Sequence, residues 1–175
     1  VEGGQEFKAI DYTIESDWSA AASIMVAAAI AGEVTINNIS TLSRQADTAV
    51  CRALERAGAS LIIEENSITV AHRPLEAFEF DATQCPDLFP ALVALAAAAE
   101  GVSTITGIKR LRGKESDRGE ALRAEYEKLG IDIELDYDED VMRVVGGTPH
   151  SANVDSHDDH RIAMSLAITA LRIQD

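Results

Sequence analysis

Residues Ala27–Ile39 read AAAIAGEVTINNI, and residues Ala96–Ile108 read AAAAEGVSTITGI. Each is an Ala-rich run, a glycine, then a short β-branched stretch. The copies lie about 70 residues apart, too far for a short solenoid period and suited to a whole supersecondary unit. Downstream, ALERAGASLIIEENSITV (Ala53–Val70) and EYEKLGIDIELDYDEDVMRV (Glu125–Val144) also share a pattern. Each reads as a helix, a Gly stop, a strand, an acidic turn and a second strand.

Working outward, one unit begins with a strand near Phe7–Ile14 or Ala77–Asp81. An Ala-rich helix follows near Ser19–Ala31 or Leu88–Glu100. Gly32 and Gly101 are expected to end those helices in left-handed turns. A strand at Val34–Ile36 or Ser103–Ile105 comes next, then an amphipathic helix over Ala46–Ala57 or Glu115–Leu129, closed by Gly58 or Gly130. A hairpin ends the unit, turning near Glu65-Asn66 or Asp138-Glu139. A third unit opens after Gly146-Gly147, with a strand near Ala152–Asp155 and a helix near Asp159–Ile173. The pattern is βαβαββ, repeated, which predicts an α/β or α+β fold with mixed sheets. The units span about 7–72, 75–147 and 150–175, the last incomplete, within a single domain. Val1 in place of Met, and a last helix running on to Ile173 without a cap, make both ends read as cuts in a longer protein.

Composition narrows the function classes. The chain has 175 residues, 46% hydrophobic, and a formal net charge of −15. A surface so acidic excludes a nucleic-acid partner, since phosphate backbones need a basic face. The longest apolar run, Ala91–Ala99, falls well short of the roughly 18 residues a membrane helix needs. Cys51 and Cys85 form neither a disulfide framework nor zinc spacing, so a reducing, cytoplasmic location is expected.

The basic residues are gathered. Lys109, Arg110, Arg112, Lys114, Arg118 and Arg123 are six of the 15 Lys and Arg. A solvated helix face balanced by Glu115, Asp117 and Glu120 is one explanation. The other is an anion site: Lys114 and Arg118, i and i+4, share one face of the expected helix, and Gly113 precedes it. The helix beginning DDHR (Asp158–Arg161) places His160 and Arg161 in its first turn, against the helix dipole, which suggests that an anion belongs there. Asp158 or Asp159 can cap that helix. Asp87 sits between Pro86 and Pro90 where the second Ala-rich helix starts, and a plain N-cap is its simplest role. Asp17 and Ser19 are cap candidates for the first, and Trp18 reads as a packing residue. If the units pack around a pseudo-threefold axis, equivalent helix N-termini gather at one end and build a shared anionic-ligand site.

Three of these segments, in order, resemble 5-enolpyruvylshikimate-3-phosphate synthases: PDLFPALVALAAAAEG (Pro86–Gly101), LRGKESDR (Leu111–Arg118) and DHRIAMSLAI (Asp159–Ile168). YTIESDWSAAAS (Tyr12–Ser23) and SRQAD (Ser43–Asp47) are weaker matches. The sister family, UDP-N-acetylglucosamine enolpyruvyl transferases, differs at the KESDR stretch.

The resemblance implies the C-terminal one of two similar lobes, each built from three βαβαββ units, with the N-terminal lobe and a late lysine absent from this chain. It implies transfer of the enolpyruvyl group of phosphoenolpyruvate to the 5-hydroxyl of shikimate 3-phosphate, without metal or cofactor. By itself the lobe is expected to be inactive. Asp87 is similar to an aspartate near the shikimate hydroxyls that serves in proton transfer, Lys114 to a lysine bridging both substrates, and Glu115 to the acid that protonates the methylene carbon. Arg118 and Arg161 resemble the arginines that hold phosphoenolpyruvate, and His160 a partner near its phosphate. Arg110 departs from the family's usual Asn or Glu.

Overall fold

The structure, a computed structural model, describes residues 2–173. Its elements run α1 (Trp18–Ala31), β1 (Glu33–Asn37), α2 (Val50–Arg56), β2 (Ser60–Ile63), β3 (Ser67–Ala71), β4 (Glu79–Asp81), α3 (Phe89–Ala98), β5 (Val102–Thr106), α4 (Arg118–Lys128), β6 (Ile133–Asp136), β7 (Val141–Val145) and α5 (His160–Ala170). Short 3-10 turns lead into α2 and α3, at Ala46–Ala49 and Pro86–Leu88.

The strands form two sheets. The first has order β1-β3-β2, all antiparallel; the second has order β4-β5-β7-β6, with β4 parallel to β5. Mixed sheets with interleaved helices are the expected class. Alternate residues face inward, as the strand pleat requires: Ile68 and Val70 in β3, Ser103 and Ile105 in β5, Met142 and Val144 in β7.

Three helices, α1, α3 and α5, pack against one another in all three pairings and form the centre. Small residues allow this. In α1, Ala21, Ala22, Ala28 and Ala29 are buried, and α3 is buried from Phe89 through Ala97. A helix apolar all round has to be surrounded by protein. Trp18 packs as expected and gives its indole N–H to the Ser40 carbonyl at 3.2 Å.

The three helices run the same way. The C-terminal ends of α1 (Ile30), α3 (Ala98, Ala99) and α5 (Arg172, just beyond it) line one groove. The N-terminal ends of α3 and α5 meet at the opposite face, where Arg118 bonds both Asp87 before α3 and Asp159 at the cap of α5.

Several sequence expectations are corrected. Phe7–Ile14 is not a strand: Phe7, Ile10, Tyr12 and Ile14 are exposed, and among the described residues no neighbour pairs with them beside β1. Ala152–Asp155 is not a strand either, and the Asp155 N–H donates to the Glu125 side chain instead of a ladder. A strand exists only with a partner, which local sequence cannot supply. Gly32 is extended (φ −179°), whereas Gly101 is left-handed (φ 107°). The last helix ends at Ala170, with Leu171 as its C-cap. Gln174 and Asp175 lie outside the described residues.

Helix α4 begins at Arg118 rather than Glu115. Asp117 is its cap, accepting from the Glu120 N–H, and Gly113 turns left-handed (φ 77°) in the loop before it. Lys114 and Glu115 therefore sit on a loop, not on a helical face with Arg118.

Candidate active site

Arg118 opens α4 with its side chain only 1% exposed. A buried guanidinium needs carboxylates around it, and three are present. Nη1 donates to Asp87 Oδ1 at 2.7 Å, Nη2 to Glu115 Oε2 at 2.6 Å, and Nε to Asp159 Oδ2 at 2.7 Å. Lys114 Nζ reaches the same Asp87 oxygen at 3.1 Å. Arg161 Nη2 lies 3.9 Å from Asp87 Oδ2. Ser116 Oγ donates to Asp159 Oδ2 at 3.1 Å.

Asp87, Lys114, Glu115, Arg118 and Arg161 thus come together across separate segments. Burial pushes the Asp87 carboxyl up, but bonds from Lys114 and Arg118, with the nearby Arg161 charge, outweigh it and hold it below the usual range. Asp159 behaves alike: burial opposes ionisation, and Arg118, the Arg161 N–H and Ser116 more than offset it. Both carboxylates are charged at neutral pH. Arg118 lies beneath, while Lys114, Arg161 and Glu115 reach the surface.

Asp87 is not a helix cap, contrary to the simplest sequence expectation. The turn Pro86–Leu88 has no side-chain cap, and the carboxylate is spent on Lys114 and Arg118. His160 is exposed on the first turn of α5, and among the described residues no hydrogen bond or ion pair joins it to the cluster. The other clustered cations are held elsewhere: Arg123 on Glu120, Arg112 over the Tyr137 ring, and Arg110 on the Thr83 carbonyl at 3.0 Å. Of those three, only Arg123 lies on the helix, α4.

Two acidic residues join the site without having been singled out as site residues. Asp159 was legible only as a cap, which it is, accepting from the Arg161 N–H at 3.0 Å while also binding Arg118. Asp47, buried beside Ser19, lies within the electrostatic reach of Asp87 and Arg161, and burial raises its carboxyl. Within the SRQAD stretch, an aspartate before an apolar helix gives no sign of that neighbourhood.

A concavity of about 820 Å³ is at the other end of the bundle, lined by Ile30, His72, His150, Leu171 and Arg172 among others. Helix C-termini carry partial negative charge and disfavour anions. Its Arg172 is already bound to the Ala97 and Gly147 carbonyls. The charged cluster at the N-terminal face is the better candidate for an anionic ligand.

Comparison with known proteins identifies the family. The sequence matches the family described as EPSP synthase (3-phosphoshikimate 1-carboxyvinyltransferase) over residues 1–175. It is 40% identical to a 3-phosphoshikimate 1-carboxyvinyltransferase of Brachyspira hyodysenteriae, covering 97% of this chain and 41% of that protein. It is 38% identical to one from Clostridium perfringens, covering 100% of this chain and 41% of the relative. The chain therefore spans about two fifths of the length of the curated relatives it matches. An EPSP synthase structure from Acinetobacter baumannii superposes with TM-score 0.82 at 32% identity, covering 92% of this chain and 40% of that one. The enolpyruvyl transferase NikO of Streptomyces tendae shares the fold, with TM-score 0.66 at 23% identity over 93% of this chain and 38% of that one. With the fold, the ordered motifs and the match over residues 1–175 in agreement, the chain belongs to the EPSP synthase family.

Proposed function

We propose that the complete protein transfers the enolpyruvyl group of phosphoenolpyruvate to the 5-hydroxyl of shikimate 3-phosphate, and that this chain supplies one wall of the site. The observation that carries the proposal is the meeting of Asp87, Lys114, Glu115 and Arg161 around buried Arg118.

The chemistry asks for those groups. The hydroxyl adds to the enol carbon as the methylene carbon gains a proton, and phosphate then leaves as the resulting methyl group gives up a proton, which restores the double bond. A base has to take the hydroxyl proton, an acid has to protonate carbon, and fixed cations have to hold a carboxylate and a phosphate. Glu115 is the most exposed carboxylate of the cluster and suits proton delivery. Lys114, already sharing Asp87, suits the bridge between the substrates, with Asp87 holding its ammonium in place. Arg161, only loosely engaged at 3.9 Å, is free to turn to a phosphate or carboxylate. Arg118 can bind substrate through Nη2 once Glu115 swings off it, a movement that also frees Glu115 for proton transfer. His160, on the same helix turn as Arg161, lies within reach of a ligand held there.

Among the described residues, no helix is long and apolar enough to cross a membrane. We place the protein in the cytoplasm, in keeping with the two free thiols of Cys51 and Cys85.

In the complete protein, Lys114→Ala and Glu115→Gln should each lower phosphate release by about 100-fold or more, the lower range for loss of one general acid–base group. Near-normal turnover in both variants rules out these roles. Offering shikimate 3-phosphate or a UDP-sugar as acceptor separates this reaction from that of the sister family.

A further inference from the structure

The mechanism above makes no use of Glu125, yet its side chain is only 1% exposed. It lies seven residues after Arg118, two helical turns along the same face of α4. Its Oε2 accepts the Asp155 N–H at 2.8 Å, and its Oε1 lies 2.8 Å from His157 Nε2. A carboxylate only accepts, so Nε2 carries the proton. Lys128 Nζ neutralises both oxygens at 2.8 and 2.7 Å.

The segment so gripped is unusual. His157 (φ 53°) and Asp158 (φ 54°) are consecutive non-glycine residues in the left-handed region. Such a conformation persists only where contacts impose it. The Asp155 side chain accepts the His157 N–H at 2.6 Å, and the Asp159 N–H closes the turn on the Ser156 carbonyl at 2.9 Å. The next residues are Asp159, bound to Arg118, and Arg161, beside Asp87. Helix α4 therefore holds this one turn at both ends, with Arg118 at residue 159 and Glu125 at residues 155 and 157.

We propose that Glu125 is a positioning residue, fastening the 155–158 turn and thereby setting where Asp159 and Arg161 meet the Asp87–Lys114 cluster. Only the turnover arm of its test rests on the proposed reaction. Gln at 125 replaces one acceptor oxygen with a donor and cannot receive both bonds. Arg123, exposed on the same helix and bonded to Glu120, lies outside this network and serves as the control. In the complete protein, Glu125→Gln should speed amide exchange at His157, Asp159 and Arg161 by about tenfold or more, by promoting local opening. Arg123→Ala should leave those amides within about twofold of wild type. Phosphate release from phosphoenolpyruvate with shikimate 3-phosphate should fall about tenfold in the first variant, which still melts cooperatively, and stay within about twofold in the second.

Wild-type exchange in Glu125→Gln, or equal acceleration in Arg123→Ala, overturns the proposal. Should Glu125→Gln not fold, His157→Ala decides: faster exchange at Asp159 and Arg161 supports the proposal, and unchanged exchange overturns it. If the wild-type protein releases no phosphate from these substrates, the reaction assignment falls, while the exchange arm still decides the role of Glu125.

Discussion

Arg118 is a cation with 1% of its side chain exposed, surrounded by Asp87, Glu115 and Asp159. Two of those partners have some solvent access, but the Asp159 side chain has 0%. Asp159→Asn leaves a buried charge short of its counter-charge, and we expect a loss of about 3–5 kcal/mol at neutral pH. The Asp159 carboxyl is held below the ordinary range, chiefly against burial and by Arg118. Its stabilisation is therefore present above the unfolded value, about 3.9, and disappears as pH falls through the lower folded value. Urea midpoints should show the full gap between wild type and variant at pH 7 and pH 5, narrowing below about pH 4. A gap that widens in acid contradicts the assignment.

At the scale of elements, two contacts fix how the central helices and sheets meet. Tyr126 of α4 is fully buried, and its hydroxyl lies 2.6 Å from Ser165 Oγ and 2.8 Å from Thr169 Oγ1, both on α5. Burial, opposed by those two bonds, pushes its phenol up to about 12. Ser165 also donates to the Pro90 carbonyl at the start of α3, and Thr169 to the Ser165 carbonyl. Because each hydroxyl keeps a second partner, Tyr126→Phe should cost only about 1 kcal/mol, measured by thermal or urea unfolding. Gly146 is far less tolerant. A Cβ there falls 1.7 Å from the Ala99 carbonyl oxygen, where the chain leaving β7 crosses the end of α3. Backbone cannot yield as a flexible side chain does. Gly146→Ala should destabilise by about 4 kcal/mol or more, placing it among the exceptional single substitutions. An ordinary melting curve for it contradicts this packing.

At the scale of the whole molecule, the cluster is an open face rather than an enclosed pocket. Asp87, Lys114 and Glu115 keep 36%, 28% and 48% of their side-chain exposure. Water screens charges on such a face, and a second wall is needed to exclude it. Calorimetric titration of this chain alone with phosphoenolpyruvate should show binding weaker than micromolar, with the complete protein binding more tightly. Micromolar binding by the chain alone is inconsistent with a site shared between two lobes.

The internal repeat, the hairpin turns and the class of fold followed from sequence, because helix periodicity, strand alternation and glycine stops act over a few residues. The residue types of the site were legible for the same local reason: KESDR and DHR announce clustered charge near helix starts, and Asp158 or Asp159 announces a cap. Tertiary structure alone decided what those charges do. It turned Asp87 from an expected cap into the partner of Lys114 and Arg118, and put Glu125, a carboxylate on the apolar stripe of α4, under a turn 30 or more residues away. It also left Phe7–Ile14 and Ala152–Asp155 without ladders, although their sequences suit strands. Local preference is set by each residue's own backbone and side chain. Ladders and buried ion pairs require a partner that only the packing of α1, α3 and α5 brings within reach.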